Sequence, residues 1–358
     1  MTAPATGVQS AVLYAVQEAE AGEKWRALWE RLAPGYRRWF LKQGDAARPS
    51  YRACARALGE HMPELVPLWE RLVELAGGGD GAARLLSLWR PTPYLAGCSQ
   101  AVWKRDRPML VRNYDYAPGL WDGVLLRSSW TGTPVVAMTD VLWGVLDGVN
   151  QAGLAVALAF GGRRVVGDGF GIPLILRYLL ETCETAEQAG RVLRRVPSHM
   201  AYNVTVVDAA GTHFTAYVGP DRRTVLTPRR VATNHQGVVE WREHAHATAS
   251  VDRERFLTSR LNDREEGSEH FVTRFLEPPI FSARYDHGWG TLYTAVYRPL
   301  ERAAEYRWPG ATLAQTMDGF HEAVVRLTYG TARDRPDEEM DPRARPGRPR
   351  PAGEKASS

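Results

Sequence analysis

The chain has 358 residues, 44% hydrophobic and 24% charged, which suits a globular protein with a large core and excludes a fibrous or wholly unfolded one. Its formal charge of +4 is spread along the whole length, 45 Lys and Arg against 41 Asp and Glu, with no basic block, which argues against a nucleic-acid partner. Three widely spaced cysteines, Cys54, Cys98 and Cys183, give neither a disulfide framework nor a zinc signature.

The N-terminal stretch MTAPATGVQSAVLYAVQEAE has no basic start and runs into acidic residues, unlike a signal peptide. No apolar run reaches membrane-spanning length, so a cytoplasmic protein with no membrane partner is expected. Residues 8 to 90 read as helix, with apolar residues at helical spacing in EKWRALWERLAPGYRRWFLKQG and YRACARALGEHMPELVPLWERLVELAGG. Gly77 to Gly79 mark a stop, GAARLLSLWR is a further short helix, and Pro91 and Pro93 end helical character.

From Tyr94 to about Leu158 the texture changes to short runs rich in Val, Trp, Tyr and Thr, separated by the turn signals KRDRP, YAPGLWDG, TGTP and NQAG. A helical stretch interrupts, GIPLILRYLLETCETAEQAGRVLRRV, with Pro173 suited to a first turn and Thr185 to the cap of a second segment. Strands return in AYNVTVVDAAGTHFTAYVG, a hairpin around Ala210 and Gly211, and in GTLYTAVYRPLERAAEYRW. Beyond about 331 the chain is polar and proline-rich and is expected to be disordered. The expected organisation is a helical leader over 1–97, a sheet-and-helix body over 98–330 and a loose tail over 331–358.

Cys98 follows a glycine at the start of the first clear hairpin. With the peptide bond before it broken, that residue would carry both a thiol and a free α-amine, whose reference pKa of about 7.7 to 8.0 lets it accept a proton near neutrality. A thiol beside its own base is an activated nucleophile. Arg112, on the return strand of the hairpin, is a candidate for lowering the thiol pKa, and Asp115 for orienting the amine. Asn150, in DGVNQAGLAVAL, and Asn234, in VATNHQG, sit at turns next to strands, where an amide could help bind the oxyanion of an acyl-transfer transition state.

Other features read as structural. His235 is expected to be a satisfied polar neighbour of Asn234. His244 and His246, two residues apart, suit a strand or loop face better than a helical zinc pair, so no metal and no cofactor are expected. GGRRVVGDGFGIP lacks the lysine of a phosphate-binding loop and reads as a flexible loop bordering the pocket. Cys54 and Cys183 read as packing residues. Trp103, Trp121, Trp130 and Trp143 read as core, with one or two lining an apolar acyl pocket.

Taken together, Gly97-Cys98-Ser99, the run Arg112-Asn113-Tyr114-Asp115-Tyr116, DGVNQAGLAVAL, YNVTVVDAAG and ATNHQ resemble the cysteine-nucleophile Ntn hydrolases. The nearest likeness is to the acyl-coenzyme A:6-aminopenicillanic acid acyltransferase group, with choloylglycine hydrolases and penicillin V acylases more distant. The likeness runs in order from Cys98 to about Gly310, where GTLYTAVYRPLERAAEYRWPG is similar to the family's closing hairpin. It implies an α+β fold, a four-layer αββα sandwich with the helical N-terminal leader outside it.

Carried over by position, the resemblance makes Cys98 the nucleophile, with Arg112 and Asp115 as the pair beside it. Asn234 and Asn150 become oxyanion donors. The arginine of SVDRERF becomes Arg253, with Arg255 the alternative by register against the hydrolase branch. It also implies self-cleavage between Gly97 and Cys98 into chains 1–97 and 98–358. The expected substrate is a small-molecule acyl amide or acyl thioester, acyl-coenzyme A among them, whose acyl group passes through a Cys98 thioester to water or an amine. Gln100 departs from the family's second small hydroxyl residue. The rival expectations are an uncleaved hydrolase of a peptide-like amide, and a catalytically inactive binding protein of the same fold.

Overall fold

The structure, a computed structural model, describes residues 9–330. Its strands are β1 (Gln9–Glu18), β2 (Gly97–Trp103), β3 (Met109–Tyr116), β4 (Val124–Ser128), β5 (Val135–Asp140), β6 (Gly144–Asn150), β7 (Ala155–Phe160), β8 (Tyr202–Val207), β9 (His213–Val218), β10 (Val225–Thr227), β11 (Val231–Ala232), β12 (Gly290–Arg298), β13 (Ala303–Trp308), β14 (Ala311–Thr316) and β15 (Ala323–Tyr329). The helices are α1 (Glu23–Phe40), α2 (Tyr51–His61), α3 (Val66–Leu75), α4 (Asp80–Leu86), α5 (Ile172–Thr182), α6 (Ala186–Arg195), α7 (Arg242–Ala247), α8 (Ser250–Asn262) and α9 (Ser268–Thr273).

Two sheets stack. The larger has nine strands in the order β10-β9-β8-β7-β6-β5-β4-β1-β15, and the smaller has six in the order β11-β2-β3-β12-β13-β14. The inner faces meet where β7 and β8 lie against β2 and β3. Helices α5 and α6 cover the outer face of the large sheet. On the small sheet Leu257 and Leu261 of α8 and Phe271 and Val272 of α9 pack with Ala101, Trp103, Val111 and Val296. The fold is therefore a four-layer αββα sandwich. Being covered on both faces, β2, β5, β6 and β7 are buried at every position, which is why they lack period-two alternation and why polar residues among them, such as Ser99 and Asp147, are buried too.

Local chemistry sets several boundaries. Pro173 stands in the first turn of α5, where its missing N–H costs nothing. Thr185 caps α6 in a reciprocal box with Gln188. The β8–β9 hairpin closes through Asp208 and Gly211, the glycine supplying φ +78°. Cys54 and Cys183 are buried, Cys183 within the main apolar core, and Trp143 is fully buried with its indole N–H on the Leu86 carbonyl at 2.9 Å.

The N-terminal segment departs from its all-helical expectation. Residues 9–18 form a strand that enters the large sheet between β4, to which it runs parallel, and β15, to which it is antiparallel. Leu13 and Ala15 point into the core, while Val16 joins Leu28 of α1 on the opposite face. The stretch AVLYAVQE carries apolar residues on both faces, and its Ala and Glu content disguises as a helix a strand with one face in the core and the other half-buried. The segment 242–247 likewise forms α7 where a strand or loop was expected. Residues 331–358, expected to be disordered, lie outside the described residues.

Because Leu13 is fully buried on a strand paired on both sides, Leu13→Ala is expected to cost about 2–5 kcal/mol. Urea unfolding followed by tryptophan fluorescence measures this, and a loss below about 0.5 kcal/mol, the size of a surface change, would contradict an integrated β1.

Candidate active site

Strand register assembles the centre of the site. In the β2–β3 pair Gly97 faces Asp115, Cys98 faces Tyr114, Ser99 faces Asn113 and Gln100 faces Arg112. Alternation then divides the residues between faces. Cys98 and Arg112 point between the two sheets, while Ser99 and Asp115 point toward α8.

On the inner side the Arg112 guanidinium reaches the Cys98 sulfur at 3.3 Å. It is held by the Leu158 carbonyl at 3.1 Å, by the Tyr293 hydroxyl at 3.0 Å and by an ion pair with Asp147 on β6. Asp147 in turn accepts from Tyr293 at 2.7 Å and from Tyr297. Both members of the Arg112–Asp147 pair are fully buried. Such a pair is secure only when its remaining donors and acceptors are filled, as they are here.

On the outer side Arg253 of α8 gathers the backbone and side chains around Cys98. Its Nη1 donates to the Cys98 carbonyl at 3.0 Å, to Ser99 Oγ at 2.7 Å and to Asp115 Oδ2 at 3.1 Å, and its Nη2 donates to Asn234 Oδ1 at 2.7 Å. Asn234 Oδ1 also accepts the Cys98 backbone N–H at 3.2 Å. The Asn234 amide nitrogen donates to the Phe160 carbonyl at 3.1 Å and the Ala96 carbonyl at 3.5 Å. Asp115 takes a second donor, Thr291 Oγ1, at 2.7 Å. Ser250 Oγ receives the Asn234 backbone N–H at 2.8 Å and lies 2.8 Å from the His235 ring, whose far nitrogen is 3.2 Å from Glu254.

Burial dominates the protonation of the centre. It pushes the Cys98 thiol up, and the adjoining Arg112 charge works against that shift. Burial also raises the Asp115 carboxyl, opposed by Arg253 and by the Thr291 hydrogen bond. His244, half-buried against Trp241 and Phe160, is pushed down to about 4 by burial and then by Arg253.

Five residues expected at the site, Cys98, Arg112, Asp115, Asn234 and Arg253, thus meet. Arg255 does not: its side chain is 76% exposed and its ionic neighbour is Asp252 on the same helix. Asn150 is also elsewhere. Its amide donates to the Leu180 and Cys183 carbonyls at 3.0 and 2.7 Å, and its oxygen accepts from Ala152 and Leu154, so both ends are spent on the β6–β7 turn and the end of α5. An amide so committed has no donor to give an oxyanion.

Sequence reading missed Asp147, Tyr293, Thr291 and Ser99. Asp147 had a visible signal, a lone carboxylate inside the apolar run GVLDGVN. Among the described residues no His, Cys, Asp and Glu cluster suits a metal ion.

Two glycines are fixed by crowding. A Cβ on Gly97 would fall 3.1 Å from Asp115 Cβ and 3.3 Å from the Trp289 ring. Gly97 is not in the left-handed region, so closeness and not backbone strain requires it. Gly162, with φ +67°, brings its backbone against the Asn234 carbonyl, where a Cβ would collide. The loop it begins lines neither cavity beside the site and acts instead as a buttress behind Asn234. One cavity of about 270 Å³ is bordered by Leu95, Gly97, Asp115, Tyr116, His244 and Trp289. A second, of about 370 Å³, lies on the other side of Tyr116, between α1 and the body.

A family model of the acyl-coenzyme A:6-aminopenicillanic acid acyl-transferase matches residues 103–312, more than half of the chain. The chain belongs to this family. Membership places it among the Ntn hydrolases and acyltransferases, and the matched region begins five positions after Cys98. Solved structures similar to the chain include penicillin V acylase from Agrobacterium tumefaciens (15% identity, TM-score 0.44, covering 64% of this chain and 91% of that one). Another is the Caenorhabditis elegans ortholog of N-acylethanolamine-hydrolyzing acid amidase (18%, TM-score 0.43, 64% and 100%). A third is a mutant form of the conjugated bile acid hydrolase from Clostridium perfringens (12%, TM-score 0.36, 65% and 96%). No curated protein sequence matches. Among the described residues no helix is long and apolar enough to cross a membrane.

The two arginines of SVDRERF separate cleanly in a stability measurement. Arg253→Gln strands Asp115 as a buried unpaired charge and is expected to cost about 3–5 kcal/mol in urea unfolding, whereas Arg255→Gln leaves the midpoint unchanged within error. Equal midpoints for the two variants would remove Arg253 from the site.

Proposed function

We propose that the protein is an autoproteolytic amidohydrolase or acyltransferase in which Cys98, once freed at its amino end, is nucleophile and base together. The observation that carries this reading is the convergence of Arg112 on the sulfur, Asn234 on the backbone N–H and Arg253 on the carbonyl of one residue. A buried structural cysteine has no need of three separately anchored polar groups.

In the first reaction the Cys98 sulfur attacks the Gly97 carbonyl carbon and the Gly97–Cys98 C–N bond breaks. The departing nitrogen takes up the thiol proton to become the α-amine, and the Gly97 acyl group is left on sulfur as a thioester. Water then hydrolyses the thioester, giving a Gly97 carboxylate and a free thiol. Glycine leaves the attacked carbonyl unshielded by a side chain.

In the second reaction the α-amine, held by Asn234 Oδ1, accepts the thiol proton as sulfur attacks the carbonyl of an acyl amide or thioester. Departure of residues 95–97 from the strand end releases the Asn234 amide nitrogen from the Ala96 carbonyl, so that it can donate to the oxyanion. The amine, now protonated, returns its proton to the leaving group, and water or a second amine takes the acyl group. Complete burial of the sulfur in the uncut chain favours cleavage over an uncleaved hydrolase, since a sealed thiol reaches no substrate. The substrates are small acyl amides or acyl thioesters, acyl-coenzyme A included.

Mass spectrometry of the purified wild type should find chains of 1–97 and 98–358, which stay together on a sizing column because β1 and α1 are built into the body. Cys98→Ala should remain one chain. Asn234→Ala should slow turnover of an acyl p-nitroanilide by the processed enzyme about 10²-fold or more, the size of losing one oxyanion donor. A wild-type chain that stays intact while hydrolysing acyl p-nitroanilides at full rate would falsify the processing step.

A further inference from the structure

A second concentration of buried charge lies on the far side of Tyr116. Asp122, before β4, and Asp140, at the end of β5, are each 6% exposed and border the larger cavity. The Tyr36 hydroxyl of α1 donates to Asp122 at 2.5 Å and lies 3.3 Å from Asp140, so its single proton serves one carboxylate at a time. Tyr94 donates to the other Asp140 oxygen at 3.0 Å, and the Leu142 backbone N–H to the other Asp122 oxygen at 3.1 Å. Each oxygen thus has one donor near it and retains a free lone pair.

Asp115 and Asp147 each have an arginine, but among the described residues neither Asp122 nor Asp140 forms an ion pair. Arg31 donates to the Asp122 backbone carbonyl and lies over the Tyr14 ring, so its charge opposes the rise of the Asp122 carboxyl without pairing with it, and Arg38 at the cavity rim is exposed. Burial, and then the Asp140 charge, push Asp122 up to about 7, and burial pushes Asp140 up to about 6. Two close carboxylates without a cation are unfavourable in such a place unless a proton or a bound cation joins them.

Two independent features of the cavity bear on its ligand. The Trp121 side chain borders it and is nine-tenths buried, and its indole N–H, which has no acceptor, matches a carbonyl oxygen of an acyl amide and not the ammonium itself. The walls form a continuous aromatic chain, Tyr36 to Trp39 to Tyr94 to Tyr116, with edge-on contacts at centroid separations of 6.0, 6.2 and 6.4 Å. Ring faces and carboxylates in one recess are the combination that binds alkylammonium groups. Tyr116 also borders the cavity at Gly97 and Asp115, so the recess adjoins the reacting centre.

We infer that this recess is a subsite for an organic ammonium, and that the substrate of the Cys98 reaction carries a primary amine seated between Asp122 and Asp140 with its hydrocarbon against the aromatic wall. The binding part stands on this cavity alone, whereas the word substrate rests on the Cys98 reading above. Leu32, Tyr36 and Trp39 come from the N-terminal segment and Tyr116, Asp122 and Asp140 from the body, so the subsite needs both.

The test uses the full-length Cys98→Ala chain, which cannot turn over, and calorimetric titration with n-hexylammonium and with 1-hexanol. The ammonium is expected to bind about tenfold or more tightly, the gain of charge-assisted contacts. Asp122→Asn with Asp140→Asn should abolish the difference and leave hexanol binding unchanged. Equal affinities for the two ligands on the otherwise unsubstituted chain overturn the subsite, with no variant needed.

Turnover by wild type is then compared on p-nitroanilides of 6-aminohexanoic and heptanoic acid. A parallel pair of hexanoyl amides carries the ammonium or a methyl at the end of the amine portion. A preference for the ammonium member of either pair, lost in the double variant, supports the substrate assignment, and equal rates in both pairs overturn it. Selective ammonium binding with no turnover of any of the four sinks the Cys98 reading and leaves the subsite standing.

Discussion

Everything near Cys98 depends on two buried guanidinium–carboxylate pairs set on opposite faces of one short strand. Arg112 with Asp147 lies between the sheets, and Arg253 with Asp115 lies beneath α8. Each arginine is neutralised locally, so neither imposes a net charge on the core, yet each still has donors directed at the cysteine residue. A lone arginine in either place would carry a prohibitive desolvation cost, and a carboxylate alone would leave the sulfur without a stabilising cation. The pairing lets positive potential be placed at a sulfur in an apolar interior. It also explains why the supporting cast is hydroxylic: Thr291, Tyr293 and Tyr297 fill the carboxylate lone pairs that the arginines leave open.

The topology of the large sheet bears on what a cut at Gly97 would do. Residues 9–18 hydrogen-bond on both sides, to β4 and to β15, so the N-terminal segment is part of the central architecture. Its helices add polar ties, such as the Trp25 indole N–H on the Leu142 carbonyl at 3.2 Å and the Tyr178 hydroxyl of the body on Glu64 at 2.7 Å. Removing a strand from the interior of a sheet exposes two unpaired edges and the core beneath, whereas breaking one bond at the start of β2 disturbs only a chain end. The segment is therefore held by packing that does not need the peptide link.

Elements defined by local chemistry were legible in the sequence: the hairpin of β2 and β3, the proline-led α5, the capped α6 and the Gly211 turn all have their signals within a few residues of one another. The strand β1 was not, since its defining partners, β4 and β15, lie more than a hundred residues away and its composition fits either state. At the site, Arg253 and Arg255 separate by helical phase. Ser250, Arg253, Leu257 and Leu261 form the buried stripe of α8, and Arg255 lies off it. Asn150 failed as a site residue because an asparagine that closes a turn and one that faces a substrate look alike in sequence. In the same short run the informative residue was Asp147, whose charge inside an apolar strand demanded a buried partner.

The recess at Asp122 and Asp140 shows why a structural duty and a binding role need not compete. Val141 and Leu142, which follow Asp140, hold φ of +49° and +74°, an unfavourable conformation for branched side chains. The turn persists because the Val141 N–H is received by Tyr36 at 2.9 Å and the Leu142 N–H by Asp122. Each carboxylate oxygen is thereby oriented by one contact and left able to accept another. A helix of the N-terminal segment supplies Tyr36, so the same hydroxyl that steadies the turn of the body also positions the acid pair. A cut at Gly97 would leave the segment before it with a reason to stay: without its tyrosine the strained turn loses its acceptor and the carboxylates lose their bridge.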